Sequence, residues 1–164
     1  MIIMGIDPGI AICGYGIITK KAGREHLIEY GSIRTNSESE TSKRLEKIYK
    51  GITVLIKEHR PDMVVVEELF INKNTKTALK VGQARGVAIL ACAHTNVEVY
   101  EYTPLQVKQG ICGYGKAPKK QVQDMVKRIL NLKEIPQPDD AADALAVALS
   151  HSNLNVKLGR RKTK

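Results

Sequence analysis

The sequence places acidic residues at the borders of three apolar segments. They are Asp7 after MIIMGI, Glu67 and Glu68 after MVVV, and Asp139, Asp140 and Asp143 before ALAVAL. A carboxylate next to buried, apolar chain is costly unless something pairs with it. Carboxylates that converge without a cation repel one another and take up protons. A divalent ion with oxygen ligands removes this conflict, and Mg²⁺ or Mn²⁺ suits carboxylate and water ligands.

Two such ions could share four of these carboxylates. That arrangement serves in-line hydrolysis of phosphodiesters, in which the ions activate water and stabilise the leaving oxygen. The acids therefore predict a metal-dependent hydrolytic site, provided that the fold gathers them.

Each acid also has a purely structural interpretation. Asp7 precedes Pro8-Gly9 and could form a turn. Asp139 suits the N-cap of a helix, and acids in a first turn favour the helix dipole. Glu67 or Glu68 could mark the solvent end of a strand. Asp143 fits least well, because it lies beyond the first turn, so the metal-site hypothesis depends on all the acids together.

The hydrophobic pattern predicts three strands, then alternating helices and strands, then further helices. Strands are expected at 2–7, 11–19 and 26–34, and their short connections make them antiparallel neighbours. A helix follows from about Thr41 or Ser42, either of which could cap it, and Pro61 ends it. The remaining elements are a strand MVVVEELF, a helix rich in small residues at about 75–95, a strand VEVYEY, and helices at about 105–109, 119–132 and 139–150.

This order predicts one α/β domain with a mixed five-stranded sheet flanked by helices. The crossover helix allows the fourth strand to lie parallel to the first. Sites in such sheets form beyond the carboxyl ends of parallel strands, where Asp7 and the Glu67-Glu68 pair end theirs. Alternation sends Glu67 and Glu68 to opposite faces, so only one can join Asp7. Asp140 and Asp143, three residues apart, share one helix face.

The positive charge is unevenly distributed along the chain. Lysine plus arginine exceeds aspartate plus glutamate by 26 − 17 = +9. No acid occurs from Leu69 to Val97 or from Tyr102 to Gln123, and both windows carry lysines. This segregation favours nucleic acid as the partner, with a basic membrane-binding face as the alternative. The three cysteines form no CxxC pair, which favours reduced thiols in the cytoplasm over a zinc site.

Four motifs follow one another over nearly the whole chain. They are GIDPGI, VVVEELFINKNTKTALKVGQARGVAI, YTPLQVKQGICGYGKAPKKQVQDMV and DDAADALAVALSH. In this order and spacing they resemble the RuvC family of Holliday-junction resolvases, which have a ribonuclease H-like fold. The resemblance implies a structure-selective, Mg²⁺-dependent endonuclease that resolves four-way DNA junctions by paired symmetric nicks, in recombination and repair. Mn²⁺ is expected to substitute, with two ions per subunit.

The resemblance also assigns residues. It selects Glu67 over Glu68 and Asp140 over Asp139, so that the metal ligands and catalytic acids are Asp7, Glu67, Asp140 and Asp143. It matches Lys108 and Lys119 to lysines near the scissile phosphate. Phe70, the one phenylalanine, matches an aromatic that stacks on a junction base, although it could simply close the core. The basic runs add candidate DNA-binding residues: Lys73, Lys76, Lys80, Lys116 and Lys120.

The resemblance further implies a homodimer, in which the small-residue helix takes part, and a branch-migration helicase complex as a partner. Two-fold related nicks require two identical sites on one symmetric body. Residues 1–152 are expected to form the nuclease domain, and 153–164 a basic tail without order.

Three other functions stay open from the residues. The same fold could cleave RNA–DNA hybrid or structured RNA, although Phe70 and its basic loop disfavour this. A nucleotide-binding module of the actin and sugar-kinase type also begins with an acid-x-glycine turn. A non-catalytic junction-binding scaffold is a third possibility, but convergent acids would repel its phosphates.

Overall fold

A computed structural model describes residues 1–68 and 75–154 of the chain, with the side chains of 75–77 excepted. Five strands and five helices lie in these ranges. They are β1 (Ile2–Asp7), β2 (Ile12–Lys21), β3 (Arg24–Arg34), α1 (Thr41–His59), β4 (Met63–Glu67), α2 (Thr75–His94), β5 (Glu98–Tyr102), α3 (Pro104–Cys112), α4 (Lys119–Ile129) and α5 (Asp139–Leu154).

The strands form one mixed sheet in the order β3-β2-β1-β4-β5. The β1–β2 and β2–β3 pairs are antiparallel, because short turns join these strands. The β1–β4 and β4–β5 pairs are parallel, because α1 and α2 cross between their ends. The predicted α/β class and the mixed five-stranded sheet flanked by helices are thus confirmed.

Strand alternation separates two hydrophobic cores, one on each face of the sheet. Met4 and Ile6 of β1 pack with buried residues of α1 and α2. Ile3 of β1 and Val65 of β4 pack on the opposite face with buried residues of α3, α4 and α5. Asp7 lies four residues after Ile3 on β1, and Glu67 lies two residues after Val65 on β4. Because side chains alternate along a strand, both acids belong to the face that α5 covers.

The expected boundaries differ from the structure mainly where helices begin and end. Neither Thr41 nor Ser42 caps α1: both are helical, Glu40 occupies the N-cap position, and its side chain makes no capping hydrogen bond. The helix ends through a left-handed Arg60 (φ 45°), immediately before Pro61. Helix α3 continues to Cys112, whereas α4 stops at Ile129.

Helix α5 continues past the expected domain boundary at 152. Asn153 and Leu154 are helical, and Leu154 is buried. The Asn153 side chain donates a hydrogen bond to the Gly110 carbonyl of α3 (3.1 Å). The basic tail from 155 onward lies outside the described residues, as do Phe70 and Lys73. In the ranges that the structure covers, no helix is long and apolar enough to cross a membrane.

Candidate active site

Asp7 and Glu67 occupy neighbouring positions at the carboxyl ends of parallel strands. Ile6 pairs with Val66 across the β1–β4 ladder, and the acids are the next residue on each strand. Glu67 shares the face of Val65, so alternation turns Glu68 to the other side. The structure therefore brings Glu67, rather than Glu68, to the side of Asp7.

Glycines in β1 and β2 let α5 lie directly on the sheet and bring its acids close to Asp7. A Cβ atom on Gly14 would lie 2.0 Å from the Asp140 carbonyl oxygen, and one on Gly5 would lie 2.1 Å from the Ala144 carbonyl oxygen. Gly14 is the ladder partner of Asp7. The first turn of α5 is thus held above the strand pair that carries Asp7.

The charges of the gathered acids oppose one another. Burial raises the pKa of Asp7 to about 8, and the negative charges of Glu67, Asp143 and Asp140 add to that effect. Burial, followed by the charge of Asp143, raises the pKa of Glu67 to about 7, against the opposing effect of Lys108 and Lys119. Carboxylates that lie close together without a cation are expected to repel one another in this way.

Lys119 supplies positive charge at this site. Its Nζ atom lies 2.8 Å from Asp143 Oδ2 and 3.3 Å from Asp139 Oδ2. Burial alone would lower the pKa of Lys119, but the hydrogen bonds and charges of Asp143 and Asp139 raise it. Burial raises the pKa of Asp143 despite the opposing effect of Lys119.

Asp139 does not act as the expected N-cap. It is the first residue of α5 itself, and the Pro138 carbonyl accepts the hydrogen bond from Ala141 N–H (2.9 Å). The Asp139 carboxylate is directed to α4, where it accepts from Gln123 Nε2 (3.3 Å) and pairs with Lys119.

A cavity of about 190 Å³ opens beside the acids. Its lining combines Glu67 and Asp143 with both lysines that the resemblance selected, Lys108 and Lys119. Pro104, Val107, Val122 and Ala146 form the apolar part of its wall. Lys80, Lys116 and Lys120 are exposed. The side chain of Lys76 lies outside the described residues.

The donor chemistry suits a hard divalent cation, because every acid of the cluster offers carboxylate oxygens. The repulsion between Asp7, Glu67 and Asp143 is the electrostatic condition that such an ion would relieve. As placed, however, no three His, Cys, Asp or Glu side chains of residues 1–68 and 75–154 form a group that could hold a metal ion. Asp143 Oδ2 is engaged by Lys119 in this structure.

Sequence reasoning missed two features that position this site. One is the role of Gly5 and Gly14, which could have been suspected because glycine is unfavourable inside strands unless another backbone approaches. The other is the capping box of α3, in which Gln106 N–H donates to Thr103 Oγ1 (3.2 Å) and Thr103 N–H to Gln106 Oε1 (2.9 Å). The signature TPLQ carries this signal, and the cap fixes the helix that presents Lys108.

The fold and the acids at the ends of β1 and β4 define a nuclease of the ribonuclease H-like class. The family model for crossover junction endodeoxyribonuclease RuvC matches residues 3–151. The chain belongs to this family.

Individual relatives agree with this assignment over almost their full lengths. The crossover junction endodeoxyribonuclease RuvC of Natranaerobius thermophilus is 62% identical over 93% of this chain and 94% of its own. That of Clostridioides difficile is 59% identical over 94% of this chain and 92% of its own. Thermus thermophilus RuvC, solved in complex with a Holliday junction substrate, superposes with a TM-score of 0.89 at 38% identity, covering 94% of each chain.

Proposed function

We propose that this chain is a structure-selective endonuclease that resolves four-way DNA junctions by paired symmetric nicks, in recombination and DNA repair. The observation that carries the proposal is the convergence of Asp7, Glu67 and Asp143 next to a cavity that two lysines line. A relative with 38% identity, solved with a Holliday junction substrate, supports the choice of DNA.

The proposed ligands of the divalent cation are Asp7, Glu67, Asp140 and Asp143. When bound, Mg²⁺ (or Mn²⁺ in its place), two ions per subunit in this proposal, would supply an activated water and charge stabilisation at the leaving oxygen. The close approach of α5 to β2 at Gly14 supports this assignment, because Gly14 is the ladder partner of Asp7 and lies against the Asp140 backbone. Lys119 contacts Asp143 through Oδ2, so a cation that binds this oxygen has to displace the ammonium group.

Lys108 and Lys119 are the proposed phosphate-binding residues, because both line the cavity beside Glu67. An ammonium group beside a phosphate stabilises the negative charge that develops in hydrolysis. Exposed Lys80, Lys116 and Lys120 extend the basic surface along the DNA. Phe70, Lys73 and Lys76 complete it in this proposal, with Phe70 stacking on an unpaired base.

A homodimer is the proposed functional form. The outward face of α2 exposes Leu79 (70%) and Leu90 (47%), and nothing lies within 4 Å of a Cβ placed on Gly86 between them. An exposed apolar helix face with small residues is suited to close packing against a second copy. A branch-migration helicase complex is proposed as a further partner on the family resemblance. Free thiols at Cys13, Cys92 and Cys112 fit a reducing cytoplasm.

The test compares wild type and Asp7→Asn on a synthetic four-way junction, a linear duplex and an RNA–DNA hybrid. Wild type with Mg²⁺ is expected to cut the junction selectively, at two symmetric positions. Asp7→Asn is expected to bind the junction with at most a few-fold change but to lose cleavage by more than about 100-fold. Glu38→Gln, at an exposed acid remote in sequence from the site motifs, is the control.

Preferential cutting of the RNA–DNA hybrid would show that the hybrid, and not the four-way junction, is the substrate. Full cleavage by Asp7→Asn would instead remove the metal-site assignment. Failure of wild type to cut any of the three with Mg²⁺ or Mn²⁺ would refute the enzymatic proposal.

A further inference from the structure

Lys119 of α4 makes ion pairs with two acids of α5, Asp143 and Asp139. Lys119 Nζ and Asp143 Oδ2 are 2.8 Å apart, which is the distance of a charge-assisted hydrogen bond. The same ammonium group lies 3.3 Å from Asp139 Oδ2. Asp143 is the less exposed acid of the two, at 31% against 56% for Asp139. The stronger contact therefore involves the acid that faces the cluster.

The position of Lys119 in α4 has no explanation within that helix. It is the first helical residue, next to a second lysine at position 120, and the first turn contains no acid. Positive side chains at a helix N-terminus oppose the helix dipole. The favourable contacts of Lys119 lie outside α4: its side chain pairs with Asp143 and Asp139 and lines the cavity beside Glu67.

We propose that Lys119 is an exchangeable counter-ion, which holds Asp143 in the free protein and is displaced from it when a divalent cation binds. The displaced ammonium group then becomes available to a DNA phosphate at the cavity that it already lines. Metal binding and DNA binding would thus promote each other through one side chain. This inference rests on the proposed function, since it requires a metal and a DNA substrate at the same site.

The half-exposed state of Lys119 makes this exchange feasible. Its side chain is 53% exposed, so it can leave Asp143 without opening the core. Until it leaves, a cation must compete with it for Asp143 Oδ2. Removing the ammonium should therefore strengthen metal binding, although it removes a residue proposed to help the reaction. A lysine that lines the cavity without a hydrogen bond to Asp143 would act through its charge alone, and its removal should have a smaller effect.

The decisive measurement is the affinity of the metal-free, full-length protein for Mn²⁺ in the absence of DNA. The electron paramagnetic resonance signal of the free ion reports how much Mn²⁺ is unbound. Lys119→Gln is expected to bind Mn²⁺ about tenfold more tightly than wild type, which corresponds to about 1.4 kcal/mol. Lys119→Arg keeps the charge and the ion pair, and should bind as wild type does. Lys108→Gln is the matched control, because Lys108 lines the same cavity but Lys119 makes the hydrogen bond to Asp143.

If Lys108→Gln gains as much affinity for Mn²⁺ as Lys119→Gln does, the effect comes from the loss of positive charge in general, and the proposal is overturned. Unchanged or weaker binding by Lys119→Gln would overturn it as well. If neither wild type nor Lys119→Gln binds Mn²⁺, both this inference and the metal-dependent site fall. Circular dichroism melts verify that each variant is folded.

A second measurement tests the coupling between the two ligands. Junction affinity is compared without metal and with Ca²⁺, under conditions where no cleavage is detected. Coupling between sites is reciprocal, so the factor by which the metal tightens DNA binding should be smaller in Lys119→Gln than in wild type. Equal factors in both proteins would contradict the exchange, even if wild type cleaves junctions normally.

Discussion

At the scale of single residues, burial and neighbouring acids make the ionised forms of Asp7 and Glu67 unfavourable. The pKa of Asp7 is raised from its usual 3.8 to about 8, first by burial and then by three neighbouring acids. An acid with a pKa that is higher in the folded than in the unfolded chain binds more protons when folded. Folding stability therefore decreases as pH rises between the two pKa values, from about 4 to about 8. Glu67, with a pKa of about 7, contributes in the same direction.

The metal-free protein is accordingly expected to lose stability between pH 5 and pH 8, by up to about 1.4 kcal/mol per pH unit for each proton involved. Asp7→Asn should flatten this dependence and be more stable than wild type at pH 8. Urea unfolding in the presence of EDTA at several pH values measures it. Glu38→Gln, at an exposed position, should retain the wild-type slope. A wild-type stability that rises from pH 5 to pH 8 would contradict the raised pKa values.

At the scale of elements, the site depends on the contact between α5 and the sheet. The added methyl of Gly14→Ala would meet the Asp140 carbonyl oxygen at 2.0 Å, so α5 has to move away from β2. We expect a loss of about 1–3 kcal/mol in stability, together with a loss of cleavage larger than the fraction unfolded explains. Ser37→Ala, at an exposed position before α1, is the control, because it lies in neither the α5–sheet contact nor the α2 face. Wild-type activity in a folded Gly14→Ala protein would show that this contact does not position Asp140.

These elements also show which features of the fold and the site can be predicted from the sequence. Alternation and crossover rules were enough to predict that one of Glu67 and Glu68 would lie beside Asp7, because both rules follow from backbone geometry alone. The choice of Glu67 rested on the family resemblance. The predicted N-cap of α1 was wrong: Glu40 occupies that position, one residue before Thr41 and two before Ser42. Local residue preferences do not fix a helix boundary to within one or two positions. The Lys119–Asp143 pair joins residues 24 positions apart and depends on how α4 packs on α5. No local pattern contains that information.

At the scale of the whole molecule, two surfaces differ in the side chains that they present. Lys108 and Lys119 line the cavity beside Glu67, whereas α2 exposes Leu79 and Leu90, with Gly86 between them in the sequence. The first surface suits a polyanion and the second suits another apolar surface. A subunit with one acid cluster needs a second copy to nick two strands symmetrically. The α2 face and the catalytic site should therefore be separable by mutation.

Leu90→Glu places a charge on the α2 face, and we expect it to convert the proposed dimer to a monomer in sedimentation equilibrium. On a plasmid that extrudes a cruciform, wild type should cut both strands within one binding event and release linear DNA. The variant should accumulate nicked circles, because each monomer makes a single cut before it dissociates. Ile28→Glu is the matched control: Ile28 is a similar exposed side chain (40%), but it lies on β3, at the sheet edge opposite β5. A Leu90→Glu protein that stays dimeric and yields linear product would exclude α2 as the interface, while leaving the carboxylate site untouched.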